Sequence, residues 1–203
     1  MTPRTASQLR VRRCALSLLV LGLIGCTTRQ PTVRPVAPGQ LFPGPVLDVK
    51  APASSGWLLL DSGVGGMRFG REDPSTGATY IAQILAFKLP PFGTPDEFLA
   101  IVRDGWAKDS PPERFKVIDT DFQLTTERPY PCVRFRGNLQ DMRARTRQGT
   151  AALPFHIRSL YCQNPIQRDL GFMIEYSQRG GSPDPDLDSH ARSFVDGVQV
   201  KQP

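Results

Sequence analysis

Between Leu170 and Ser177 the chain alternates strictly. Leu170, Phe172, Ile174 and Tyr176 are large and apolar, and Gly171, Met173, Glu175 and Ser177 fall between them. A period of two sends successive side chains to opposite faces of a strand, so this segment demands a sheet. Trp57–Leu60, Tyr80–Phe87, Phe115–Leu124, Cys132–Leu139 and Phe155–Cys162 are further strand candidates. Val64–Gly70 reads as a turn leading into another strand. Two segments have helical spacing instead. Thr94-Pro95-Asp96-Glu97 supplies a capping hydroxyl, a proline at the first helical position and a glutamate that can reach back to the cap. Phe98, Leu99, Ile101, Val102 and Trp106 follow, which predicts a helix over about 95–108. Asp184-Pro185 starts the second, over about 185–197, with Leu187, Ala191, Phe194 and Val195 as its apolar stripe and Gly197 as its C-terminal cap. Strands that succeed one another without regular βαβ alternation imply an α+β fold: a mainly antiparallel sheet with two principal helices packed on it.

The N-terminus is different in kind. The apolar run from Cys14 to Ile24 holds about 11 residues, whereas a helix needs about 20 to cross a bilayer. Arg4, Arg10, Arg12 and Arg13 precede or flank it, and no acid occurs in residues 1–25. This is the pattern of a secretory signal peptide. Arg12-Arg13 lacks the fuller pattern around a twin-arginine signal. Leu23-Ile24-Gly25-Cys26 resembles the lipobox of bacterial lipoproteins. The resemblance implies that Cys26 is acylated on sulfur, becomes the first mature residue and is then acylated on its amine. Thr27, standing where an Asp would retain a lipoprotein in the inner membrane, implies by the same resemblance an outer-membrane site facing the periplasm.

Loss of residues 1–25 removes four of 25 basic residues and leaves 21 against 19 acidic ones. That small excess is not the concentrated basic footprint of a nucleic-acid binder. Residues 26–56 carry the lipidated cysteine and six prolines: Pro31, Pro35, Pro38, Pro43, Pro45 and Pro52. They read as a disordered tether that could hold a single domain, residues 57–203, up to about 90 Å from its anchor. Leu41-Phe42 and Val46-Leu47 are the places where that tether could dock locally.

With Cys14 removed and Cys26 acylated, Cys132 and Cys162 remain, and two thiols in an exported chain read as a disulfide. A metal pair is the rival, but there is no close CxxC, and His156 and His190 are too few and too scattered to complete a site. Strand parity supports the pairing. Val133 and Phe135 share one face of their strand, so Cys132, Arg134 and Arg136 share the other; Phe155, Ile157 and Tyr161 leave His156, Arg158, Leu160 and Cys162 together. If the apolar sets face the helices, both cysteines point to the opposite side. Pairing them sets Arg134 beside Leu160 and Arg136 beside Arg158, in a hairpin whose loop centres near Arg147. Arg134, Arg136, Arg143, Arg145, Arg147 and Arg158 then form a candidate surface for an acidic partner or anionic lipid. The alternative is a solvated hairpin whose charges discourage edge pairing.

Little else suggests chemistry. There is no GxSxG, and Gly63-Val64-Gly65-Gly66 lacks the following GK[ST] of a phosphate loop. His190 lies beside Ser189 and Ser193 on the final helix; Asp119 and Asp121 share a strand face but are too few for a metal site. No cofactor or metal is implied. The order of elements over about residues 57–200, ending in a helix with "ARSFVDGV", resembles the Mog1/PsbP-like α+β sandwich. That resemblance implies binding or assembly, with no fixed active site. The expected protein is a lipid-anchored envelope component with a binding or scaffolding domain. The alternative is an envelope hydrolase acting on cell-wall or lipid material.

Overall fold

The alternating segment is Leu170–Arg179, strand β10, and it lies in the interior of the larger of two sheets. The computed structural model describes residues 33–44 and 46–201. Ahead of β10 come β1 (Arg34–Pro35), β2 (Leu41–Pro43), β3 (Leu47–Lys50), β4 (Leu58–Gly63), β5 (Gly66–Glu72) and β6 (Thr79–Lys88). Helix α1 (Pro95–Asp109) and strands β7 (Phe115–Thr125), β8 (Cys132–Thr146) and β9 (Gly149–Gln163) follow. After β10 come α2 (Leu187–Asp196) and β11 (Val198–Val200). The eight-stranded sheet has the order β1-β4-β5-β6-β10-β9-β8-β7, and a three-stranded sheet has the order β11-β3-β2. Among the described residues every strand pairing is antiparallel. The α+β architecture with two helices on an antiparallel sheet is therefore the one the sequence implies.

Both faces of β10 are largely buried, which requires a cover on each side. Phe172, Ile174 and Tyr176 join Phe69, Ala82, Ile84, Leu160 and both cysteines in the main core, under Leu187, Ala191 and Phe194 of α2. On the other face Val133 and Phe135 pack against α1, through Phe98 and Val102 in one cluster and Trp106 in the next. The helices thus lie on opposite faces, and the cysteines point toward α2. The expectation that they point away from the helices holds only for α1. The hydrophobic stripe of α2 is satisfied by the Leu160 side of the sheet, which the apolar parity of β9 alone does not reveal.

Helix α1 starts as its sequence requires. The Thr94 hydroxyl accepts from the Glu97 amide, and the Glu97 carboxylate accepts from the Thr94 amide. Helix α2 begins two residues later than expected, at Leu187, with Asp186 at the cap and no side-chain cap bond.

The tether boundary needs correction. Residues 33–44 and 46–56 belong to the folded domain and do not form a spacer. Val36, Phe42, Val49 and Ala51 are buried in the main core. β3 is held between β2 and the C-terminal β11, and β1 pairs with β4. Prolines are tolerated because these strands are short and lie at edges or ends. The Phe42 ring lies 5.4 Å from the Phe69 ring and tilted against it. Phe42→Ala is expected to destabilise the domain by about 3 kcal/mol, and a chain starting at Trp57 should not fold. Denaturant titration checks both; an unaltered midpoint for either would restore the spacer.

Candidate functional site

Strands β8 and β9 pair in the expected register: Cys132 opposite Cys162, Arg134 opposite Leu160 and Arg136 opposite Arg158. Cys132 and Cys162 form a disulfide, and both are fully buried. Two directly opposed arginines repel each other on a sheet, and here a third group resolves the conflict. Asp188, in the first turn of α2, receives Arg136 Nη2 on one oxygen at 2.5 Å and Arg158 Nε on the other. Burial works against the Asp188 charge, but hydrogen bonding and charge from Arg158, and then the charge of Arg136, outweigh it and hold the carboxyl below its usual range. Arg134 pairs with Glu127.

These groups line an open cleft of about 280 Å³ between α2 and strands β7, β8 and β9. Leu160, Ala191 and Val195 contribute apolar wall. Arg192, one helical turn beyond Asp188, adds a fourth arginine, and Asp121 and Glu127 complete the acids. Four cations against three anions make a mixed-charge cleft with a slight positive excess.

The six arginines expected to share a surface divide into two groups. Arg134, Arg136 and Arg158 line the cleft; Arg143, Arg145 and Arg147 do not. The strands run 15 residues each, so Arg145 stands about 30 Å along β8 from Arg136. A register shift between Asp141 and Ala144 also breaks the facial alternation. Arg147, at the exposed turn, pairs with Glu72 at 2.9 Å. A segment this charged reads as loop, yet Asp141 and Ala144 turn fully inward and keep it in the sheet.

Asp141 was legible only as the acid nearest the arginines, but it is the centre of its own cluster. Arg114 Nη2 and Arg179 Nε each lie 3.2 Å from Oδ2, and the Arg143 amide donates to Oδ1. Its parity with Phe135 and Leu139, an acid at an inward position, was the available signal. A second polar row crosses the α1 face of the sheet. Gln83 bridges Arg68 and Glu175, at 2.8 and 3.0 Å, and burial pushes the Glu175 carboxyl up despite those bonds.

The histidines are taken up locally. His156 Nδ1 meets the Asn138 side-chain oxygen at 2.9 Å, and burial, with Arg158 nearby, lowers its pKa. His190 lies 3.5 Å from Asp184. Asp119 accepts from Asn138 and Asp121 from Gln123. Gly63–Gly66 is the hairpin turn between β4 and β5. Among the described residues no group of three His, Cys, Asp or Glu could hold a metal ion, and no helix is long and apolar enough to cross a membrane. Cys26 and residues 1–25, which the sequence reads as an export signal, lie outside the described residues.

The structure therefore defines an α+β domain with a helix on each face of an antiparallel sheet and a charged cleft beside the second helix. No protein-family model matches the chain, and no curated protein matches it. Among solved structures it is similar to LpqN of Mycobacterium tuberculosis, which is involved in cell envelope biogenesis. The identity is 16% and the TM-score 0.45, over 84% of this chain and 91% of that one.

Proposed function

We propose that this chain is a lipid-anchored protein of the cell envelope. In this reading Cys26 is the acylated residue, the outer membrane is the site, and the domain faces the periplasm. The domain works by binding another envelope protein in the cleft beside α2, and not by catalysis. The observation that supports binding is the convergence of Arg134, Arg136, Arg158 and Arg192 with Asp121, Glu127 and Asp188 in one open cleft. A bare phosphate or lipid headgroup would compete with three resident acids, whereas a partner surface carrying both signs can match both. The buried Cys132–Cys162 bond supports an exported location, because such pairs persist in oxidising compartments.

A photoreactive residue at Gln123, on the cleft wall, should capture one envelope protein in living cells, and one at Arg103, on α1, should not. Arg134→Glu with Arg192→Glu should abolish the capture. Equal capture from both positions, or capture that survives the charge reversal, removes the cleft from the account. The anchor is tested separately: Cys26→Ser should abolish fatty-acid labelling and membrane retention, and continued labelling refutes the assignment.

A further inference from the structure

The corrected boundary changes how far the domain can stand from its anchor. Val33 already belongs to the folded unit and β1 starts at Arg34, so seven residue steps separate Cys26 from the fold instead of about thirty. At no more than about 3.6 Å per residue, they reach only about 25 Å. β1 is also the outermost strand of the large sheet. An anchor at Cys26 therefore holds one particular edge of the domain close to the lipid.

The chemistry of that edge suits the position. Val33, Leu41 and Leu58 are 54%, 53% and 37% exposed. Leu58 faces Pro35 of β1 across the pairing; Leu41, in β2 at the edge of the smaller sheet, faces the exposed Lys50, and Arg34 over the Phe42 ring sets β2 beside β1. Arg34 is exposed beside Phe42. Between Val33 and Leu60 there is a single acid, Asp48, and Lys201 holds it at 3.2 Å. The next acid, Asp61, lies past a bulge toward the tip of the β4–β5 hairpin. Exposed apolar side chains beside cations, with no free acid among them, suit contact with an anionic bilayer surface.

We propose that the β1–β4 edge rests on the lipid surface into which the acyl chains of Cys26 insert. This rests on the Cys26 reading above. The domain then stands on end. β7, seven strand spacings away, projects roughly 30 Å outward. The cleft beside α2, lined by β7, β8 and β9, is carried on that outer half, where a partner can reach it.

The test uses the full mature chain, purified with its lipid and reconstituted in phosphatidylcholine–phosphatidylglycerol liposomes containing brominated lipid. Single cysteines replace Leu41, Leu58 or Ile118 and carry bimane; the native cysteine pair is buried and oxidised and takes no label. Leu58 in β4 and Ile118 in β7 are six strand spacings apart, roughly 30 Å, so bimane at position 58, and at position 41 beside β1, should be quenched at least about threefold more than at 118. Val33→Glu with Leu58→Glu should remove the quenching at position 41. Even quenching at all three positions, stronger quenching at 118, or quenching at 41 that survives the double substitution overturns the proposal. Fatty-acid content, measured by mass on each sample, separates the two failures. An unacylated wild-type chain refutes the anchor and the leash with it. An acylated chain with even quenching refutes the docking alone.

Discussion

Replacing Cys132 and Cys162 together by alanine is expected to lower the stability of the domain by about 3–4 kcal/mol, the chain-entropy value for closing a loop of this size. The bond joins residues 30 apart in sequence and ties the start of β8 to the end of β9, its neighbour in the sheet. The largest effect is on the unfolded chain, which loses the constraint that keeps β8 and β9 together. A packing loss adds to it, because both sulfurs sit in the main core with Leu160 and Phe172. The same burial predicts kinetic resistance: the thiolate of a reductant cannot reach a sulfur inside the sheet. Dithiothreitol in native buffer should leave the intact mass unchanged, and the gain of two hydrogens should appear only once denaturant is added. Ready reduction of the folded protein, or a double-alanine variant with a wild-type midpoint, would show that the bond does not hold the hairpin.

That register was legible because two independent periodicities agreed. Apolar parity placed Cys132 and Cys162 on matching faces, and the structure pairs them with Arg134 opposite Leu160 and Arg136 opposite Arg158. The capping box of α1 was equally local: Thr94 and Glu97 satisfy each other within one turn. Residues 33–56 were not legible for the opposite reason. Val36, Phe42, Val49 and Ala51 are scattered through a segment rich in proline and glycine, and the strands they lie in or next to are two to four residues long. They become core only through distant partners, such as β11 at the far end of the chain. The cleft was half legible. Its β8 and β9 arginines follow from parity, but Asp188 and Arg192 arrive on a helix whose apolar stripe does not say which face of the sheet it covers. The clustering of Arg143, Arg145 and Arg147 with the others failed on distance, since the residues from Arg136 to Arg145 lie along one extended strand and span about 30 Å.

Asp141→Ala should be the most damaging single substitution of a charged residue, at about 3 kcal/mol, near the lower end of the range for removing one partner of a buried ion pair. The Asp141 side chain is fully buried, and it faces two guanidinium groups at 3.2 Å. Removing it leaves Arg114 and Arg179 opposed without a counter-charge and strips the Arg143 amide of its acceptor. The loss stays near the lower bound because the arginine side chains are 45% and 31% exposed and can recover some hydration. Phe115 and Phe155, each under one of these arginines, share the damage, since the guanidinium groups sit 4.8 and 4.4 Å from their ring centres. Asp141→Asn keeps an acceptor for the amide and should lose less. The pH dependence carries the same signature. Burial opposes the Asp141 charge, but hydrogen bonding from Arg114 and the Arg143 amide, with the charges of Arg179 and Arg114, holds its folded pKa below the ordinary value of 3.8. A depressed carboxylate contributes stability that is fully present above the unfolded pKa and disappears as pH falls through the folded one. The wild type should therefore lose stability below about pH 4 more steeply than Asp141→Asn does. Urea unfolding of the two proteins between neutral pH and pH 3 measures the difference directly; parallel curves would mean that Asp141 is not the group that holds the outer end of β8 in the sheet.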